Sequence, residues 1–315
     1  MYAKSKILVQ GKFPAAFVAA LAARFELVPY DPAMPLADAP GWDASIRGLV
    51  SWARYAVSAE MMDRLPGLEI LAGFGVGYDR FDLKAAKARG VVVTNTPDVL
   101  TDDVADLAIG LTIATLRRMV ALDRFVRAEK WAAGETAPLA RKVAGKRIGI
   151  VGLGRIGRAI ARRAEGFGMA IAYTGPRAYA DQPYRYVADL AELARDSDIL
   201  VVACRADAAN RRLIDANVLR ELGPKGILVN IARGSLVDEA ALVAALKNGT
   251  LGGAGLDVYA DEPRVDPDLF GLDNVVLMPH IGSATEETRQ AMADLVIANL
   301  ESHFAGRGPL TPVSP

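Results

Sequence analysis

A single cysteine, Cys204, stands in a chain of 315 residues. An intrachain disulfide is thereby excluded, as is any metal site built from several thiolates. Histidine is nearly as scarce. His280 and His303 are the only two, they do not form a metal-ligand pair at helical spacing, and no metal is expected. Charge of one sign is also missing, since 37 Lys and Arg balance 37 Asp and Glu. No field is left to hold nucleic acid or an acidic membrane, and neither partner is expected. No uninterrupted apolar run is long enough to span a bilayer. Lys4 and Lys6 ahead of the apolar stretch from Phe13 to Ala23 superficially resemble a secretion signal. Ile7-Leu8-Val9 followed by Gln10-Gly11-Lys12 reads better as a strand and loop before a helix. The cytoplasm is the expected location.

The composition, 52% hydrophobic and 23% charged, suits a large core, and the length suits two domains. The chain is organised around Val143 to Gly157. Arg147 to Val151 is a short buried strand by its alternation and β-branching. It runs into Gly152-Leu153-Gly154-Arg155-Ile156-Gly157, and a helical pattern follows. Strand, G-x-G-x-x-G and helix in this order predict a dinucleotide site. Gly152 allows the tight turn, Gly154 lets the backbone approach a pyrophosphate, and Gly157 lets helix and strand pack closely. The helix N-terminus, at Arg155 and Ile156, offers N–H groups to the phosphates.

On either side of this motif, strands alternate with helices. Strands are expected at 6–10, 25–28, 48–51, 69–72 and 91–94, with helices at 15–23, 57–64 and 83–88. A Pro/Asp/Ala-rich loop covers 29–42. Thr101 opens a long helix, apolar on almost every side from Ala105 to Leu116, which predicts burial between domains or subunits. The segment from Arg117 to Pro138 reads as a less regular arm and suggests a dimer contact. Six more strands are expected at 147–151, 170–173, 199–203, 227–231, 253–257 and 275–278, with helices between them and a final amphipathic helix over 285–304. The fold class is α/β, with mostly parallel sheets covered on both faces, and the six strands of the second half match a full dinucleotide-binding domain.

Two loops bear on ligands. Gly73-Phe74-Gly75-Val76-Gly77-Tyr78-Asp79 follows a strand, and its alternate glycines let N–H groups converge on an anion. The strand ending at Tyr173 lies about 20 residues past the first glycine, where an NAD site usually carries an acid. Here Thr174-Gly175-Pro176-Arg177 follows, with no carboxylate before Asp181. Arg177 can bond a 2′-phosphate with its planar fork, so NADP(H) is expected over NAD(H), which stays the alternative.

Three features follow strands of the second half: Asn230 to Ser235, Leu256 to Pro263, and Met278 to Thr285. Ligands bind at that edge of an open parallel sheet, so Arg233, Glu262 and His280 converge near the expected nicotinamide. Each suits the reduction of a 2-keto acid. Arg233 can grip the substrate carboxylate with two hydrogen bonds. His280 can give a proton to the carbonyl oxygen that receives the hydride's charge. Glu262 favours the imidazolium and fixes the ring's orientation. Asp257 is placed to bond the nicotinamide amide.

Gly152 to Gly157, Asn230-Ile231-Ala232-Arg233-Gly234, Gly255-Leu256-Asp257-Val258 through Asp261-Glu262-Pro263, and Pro279-His280-Ile281-Gly282 resemble the D-isomer-specific 2-hydroxyacid dehydrogenases. Within that family the likeness is to glyoxylate/hydroxypyruvate and hydroxyphenylpyruvate reductases. The resemblance implies two doubly wound parallel-sheet domains, a flavodoxin-like substrate-binding domain over 1–98 plus 287–315 and a Rossmann NAD(P)-binding domain over 99–286, with a cleft between them, and a homodimer. It implies that Arg233 binds substrate, that Glu262 and His280 form the acid/base pair, and that Val76 and Gly77 bind the carboxylate by backbone N–H. Thr174, Ile231 and Gly282 join the expected cofactor contacts. The expected substrate is a small 2-keto or 2-hydroxy acid. Trp52, Arg54 and Trp131 of the partner subunit are candidates for the pocket lining. An aryl-pyruvate reductase and a non-catalytic dinucleotide sensor are the alternatives. Cys204-Arg205-Ala206-Asp207 departs from the family's common Pro-Leu-Thr stretch and touches adenosine contacts rather than catalysis.

Overall fold

The computed structural model describes residues 4–39 and 42–313. Residues 40–41 of the loop expected over 29–42, and 314–315 of the expected substrate domain, lie outside them, as do 1–3. The chain forms two compact units. One runs up to Leu100 and resumes at Ala284; the other is Thr101–Ser283.

The first unit holds β1 (Lys6–Gln10), α1 (Ala15–Arg24), β2 (Glu26–Tyr30), β3 (Ile46–Trp52), α2 (Ala59–Asp63), β4 (Ile70–Phe74), α3 (Leu83–Ala88) and β5 (Val92–Thr94). All pairings are parallel, in the order β2-β1-β3-β4-β5. That order is the flavodoxin-like one. β4 is buried along its whole length, as a strand covered on both faces must be. Local sequence starts the short helices: Ser58 accepts from Met61 N, and Asp82 from Ala85 N. The chain's last helix, α10 (Glu286–Phe304), packs on β4 and α1. Its buried Asn299 accepts from the N–H groups of Leu310 and Thr311, and Val313 N–H bonds Val93 O. The tail thus packs back on the first unit.

The second unit holds α4 (Thr101–Leu116), α5 (Met119–Arg127), β6 (Arg147–Val151), α6 (Arg155–Glu165), β7 (Ala170–Thr174), β8 (Arg185–Tyr186), α7 (Leu190–Arg195), β9 (Ile199–Val202), α8 (Ala216–Leu222), β10 (Ile227–Asn230), α9 (Glu239–Lys247), β11 (Gly253–Leu256) and β12 (Val275–Leu277). Seven parallel strands run β12-β11-β10-β9-β6-β7-β8. This is the Rossmann order, reversing beside β6, with one strand added at the far edge.

Three expectations change. The sheet has seven strands rather than six, because two-residue β8 is too short to show a period. The arm after α4 begins with a regular helix, α5, none of whose residues is buried. The apolar character of α4 is accounted for inside the second unit, where it packs on α6 and on β10, β11 and β12.

Candidate active site

The reversal of strand order at β6 and β9 places the glycine turn at the sheet's switch point. Gly152 has φ +96°, and a Cβ there would lie 2.6 Å from Cys204 Cα. Only glycine satisfies both constraints. A Cβ on Gly157 would collide with Gly152 O, so that glycine lets α6 sit on the turn. Gly154 is the N-cap of α6, with no side chain to cap it, and a Cβ there would meet nothing within 4 Å. A cradle of backbone with open space beside it, at a helix opening, fits a pyrophosphate.

The second strand, β7, is bound to this turn, since Gly152 N–H donates to Thr174 O at 2.9 Å. Thr174 is buried, and Arg177 beyond it is exposed, its guanidinium 5.7 Å from the Tyr179 ring centre. Asp181, the first acid after β7, is tied to Arg158 of α6 at 2.6 Å. Hydrogen bonding from Arg158 holds its carboxyl below the usual range. Cys204 lies against Gly152, and burial pushes its thiol up to about 11, so it stays protonated and inert near neutrality.

Neighbouring strands β10, β11 and β12 carry the remaining groups. Buried Asn230, at the end of β10, accepts from Ala232 N and donates to Arg233 O. That clamp sets the half-buried Arg233 loop, which begins beside buried Ile231. A Cβ on Gly234 would fall inside the backbone of Tyr259, so this loop presses on the one that carries Glu262.

Glu262 accepts from Tyr259 N at 3.1 Å through Oε1, and its Oε2 lies 2.7 Å from His280 Nδ1. Burial alone would raise the Glu262 carboxyl. The hydrogen bond and charge of His280, the Tyr259 N–H and the charge of Arg233 outweigh it and hold the carboxyl below its usual value. An ionised Glu262 accepts from Nδ1–H, which leaves Nε2 to carry a transferable proton.

His280 itself has φ +55°, a conformation that non-glycine residues seldom adopt. Asp257 holds it there. Its carboxylate, 1% exposed, accepts from Ile281 N at 2.7 Å and Gly282 N at 2.8 Å. The geometry therefore gives Asp257 a task that the sequence did not suggest, securing the His280 loop. Burial dominates its titration and raises the carboxyl, against the pull of those N–H groups. Nor does the sequence single out Tyr259, whose hydroxyl donates to Met278 O at 2.8 Å and joins the ends of β11 and β12. A tyrosine in the same motif as Glu262 was the available signal.

In the first unit the anion loop is narrower than its three glycines suggest. Gly73 belongs to β4, packed against Phe81 and Thr94 O, and Gly75 N–H is spent on Thr96 Oγ1. Val76 and Gly77 follow, half-buried, with Val76 O accepting from Asn95 Nδ2. Trp52 ends β3 with Phe13 stacked on it at 5.1 Å and the guanidiniums of Arg289 and Arg54 over its ring at 4.8 and 5.0 Å.

A Rossmann sheet with a glycine cradle at its switch point, and a histidine–carboxylate pair on its strand ends, defines a nicotinamide-dependent oxidoreductase. Residues 109–282 match the family described as D-isomer specific 2-hydroxyacid dehydrogenase, NAD binding domain. The chain belongs to that family. It is 54% identical over 269 residues to a glyoxylate/hydroxypyruvate reductase A of Arabidopsis thaliana, covering 85% of this chain and 86% of that protein. It shares the same identity and coverage with a hydroxyphenylpyruvate reductase of Plectranthus scutellarioides. A crystal structure of an NADPH-dependent glyoxylate/hydroxypyruvate reductase from Sinorhizobium meliloti, in complex with NADP and malonate, superposes with a TM-score of 0.92 at 44% identity, covering 99% of this chain and 97% of that one.

Proposed function

We propose that the protein is an NADPH-preferring reductase of small 2-keto acids, glyoxylate and hydroxypyruvate, giving D-2-hydroxy acids. The observation that carries this reading is the 2.7 Å pairing of His280 with an ionised Glu262, beside Arg233. The dinucleotide seats in the second unit, at Gly152, Gly154, Arg155, Ile156 and Gly157, with Thr174, Arg177, Ile231, Asp257 and Gly282 along its length. Bound there, it supplies hydride to the carbonyl carbon. In the second unit Arg233 holds the substrate carboxylate; in the first unit the N–H groups of Val76 and Gly77 are the donors offered to an anionic substrate. His280 Nε2 gives its proton to the carbonyl oxygen, and Glu262 holds the ring and balances its charge. The first unit serves the substrate.

An aryl-pyruvate reductase is the second reading, favoured by the identity to a hydroxyphenylpyruvate reductase. Against it, the Trp52 ring already carries Phe13 and two guanidiniums, so its faces are taken. The cytoplasm and a homodimer complete the proposal; no described helix is long and apolar enough to cross a membrane.

The test is turnover on glyoxylate, hydroxypyruvate and phenylpyruvate with each cofactor, in the native protein and in His280→Ala. Loss of a general acid of this kind costs about 100- to 10,000-fold in turnover, with NADPH binding retained. Unchanged turnover in His280→Ala refutes the mechanism. A preference for phenylpyruvate refutes the substrate.

A further inference from the structure

Arg158 sits in the first turns of α6, where an arginine is ordinarily a solvated surface charge. The structure points it elsewhere. Its Nε bonds Leu153 O of the glycine turn at 3.3 Å. Its two terminal nitrogens reach Asp181 Oδ2 at 2.6 Å and Oδ1 at 3.5 Å. The guanidinium lies 4.9 Å from the centre of the Tyr179 ring, the ring that Arg177 also approaches, at 5.7 Å. Tyr179 is fixed in turn, since its N–H donates to the hydroxyl of buried Tyr173 at 2.7 Å. Two arginines, one on α6 and one past β7, thus meet at one tyrosine.

The location matters because of what a dinucleotide presents there. Between the glycine turn and the end of the second strand lies the ribose of the adenosine half, with its 2′ position. A carboxylate in that place receives the 2′-hydroxyl of NAD(H). Here the first carboxylate past β7 is Asp181, which is already engaged by Arg158 and also accepts from Gln182 Nε2 at 3.0 Å. Asp181 cannot serve a ribose hydroxyl at full strength while it holds that arginine.

We propose that Arg158 is a second ligand of the 2′-phosphate, beside Arg177, and that Asp181 parks its guanidinium until the phosphate replaces the carboxylate. This rests on the NADP(H) reading above and deepens it. The pair is suited to exchange. Asp181 is 62% exposed and Arg158 30%, and exposed ion pairs are held weakly. A phosphate carries more charge than a carboxylate and matches the guanidinium fork with two parallel bonds. The bond to Leu153 O keeps the arginine aimed at the turn, so the exchange needs only its outer nitrogens.

The experiment is calorimetric titration with adenosine 2′,5′-bisphosphate and with 5′-AMP, which differ only in the 2′-phosphate. It needs no turnover. Arg158→Ala is expected to weaken the bisphosphate about tenfold, the ordinary worth of a charge-assisted bond, and to leave 5′-AMP within about twofold. Asp181→Asn is expected to tighten the bisphosphate, because the competing charge is gone. Unaltered bisphosphate affinity in Arg158→Ala, or equal loss of both ligands, overturns the role of Arg158. Unchanged or weaker bisphosphate binding in Asp181→Asn overturns the exchange. A native protein that binds both ligands equally overturns the NADP(H) reading itself, and this proposal with it.

Discussion

His280 Nδ1 stands 2.7 Å from Glu262 Oε2, on loops that leave adjacent strands β12 and β11. The contact fixes which imidazole nitrogen is left for chemistry. It also makes Glu262 a contributor to stability, with a definite sign.

Glu262 is held below its ordinary value of 4.5 in the folded chain. A group depressed by folding stabilises the fold above its unfolded value, and that contribution fades as pH falls through the folded one. Glu262→Gln removes the titration. The melting temperature of native protein should therefore exceed that of Glu262→Gln at pH 7, and the gap should narrow as the pH drops from about 4.5 downward. Thermal melts of the two proteins from neutral to acid pH check this. A gap that widens on acidification contradicts the assigned direction.

Gly234 links two loops of the site by close approach. A methyl group there would enter the backbone of Tyr259, three residues before Glu262. Overpacking of this kind costs roughly 1–3 kcal/mol. Gly234→Ala is expected to lower the melting temperature by several degrees and to cut turnover far more than it weakens dinucleotide binding, because the Arg233 and Glu262 loops must part. Equal turnover in the alanine variant would show that their spacing is immaterial.

That approach marks a limit of the sequence itself. The buried strands of the second sheet are short apolar runs such as Ile199 to Val202, and their ends carry the turn and site residues, so sheet edge and motifs are legible together. Gly234 against Tyr259 leaves no periodic trace, because backbone meets backbone across strands. Arg158 and Asp181 stand 23 residues apart, and each alone resembles an ordinary surface charge. Asp257 could be read as a ligand group from its strand-end position, yet its bonds to Ile281 and Gly282 depend on how β12 turns at its end. Helix α5 escaped because no residue of it is buried in its own chain.

Arg177 leads to a kinetic prediction distinct from that for Arg158. Exposed and close to Tyr179, it is expected to contribute to NADPH efficiency alone. Arg177→Ala should lower kcat/KM for NADPH by about ten- to a hundredfold, within the range of a charged hydrogen bond, and leave that for NADH nearly constant. A native efficiency with NADH at or above that with NADPH removes the basis for the assignment.

The arm from α5 onward predicts assembly. Met119 and Val126 are each 54% exposed, Trp131 71% and Leu139 95%. Large apolar side chains spread singly over a surface are ordinary, but four within 21 residues, from a helix none of whose residues is fully buried onward, are a candidate contact surface. A second copy of the arm can cover it, as a twofold contact is self-complementary. Trp131→Asp places a charge on that surface, at a side chain that is 71% exposed. Sedimentation should give a dimer for the native protein and a monomer, or a dimer weakened at least about tenfold, for the variant, since tryptophan is among the residues enriched at such energetic centres. Dinucleotide affinity serves as the control for folding, because the glycine turn lies in β6 and α6 rather than on the arm. A native monomer, or a variant that dimerises as tightly as the native protein while binding the dinucleotide normally, removes Trp131 from the interface.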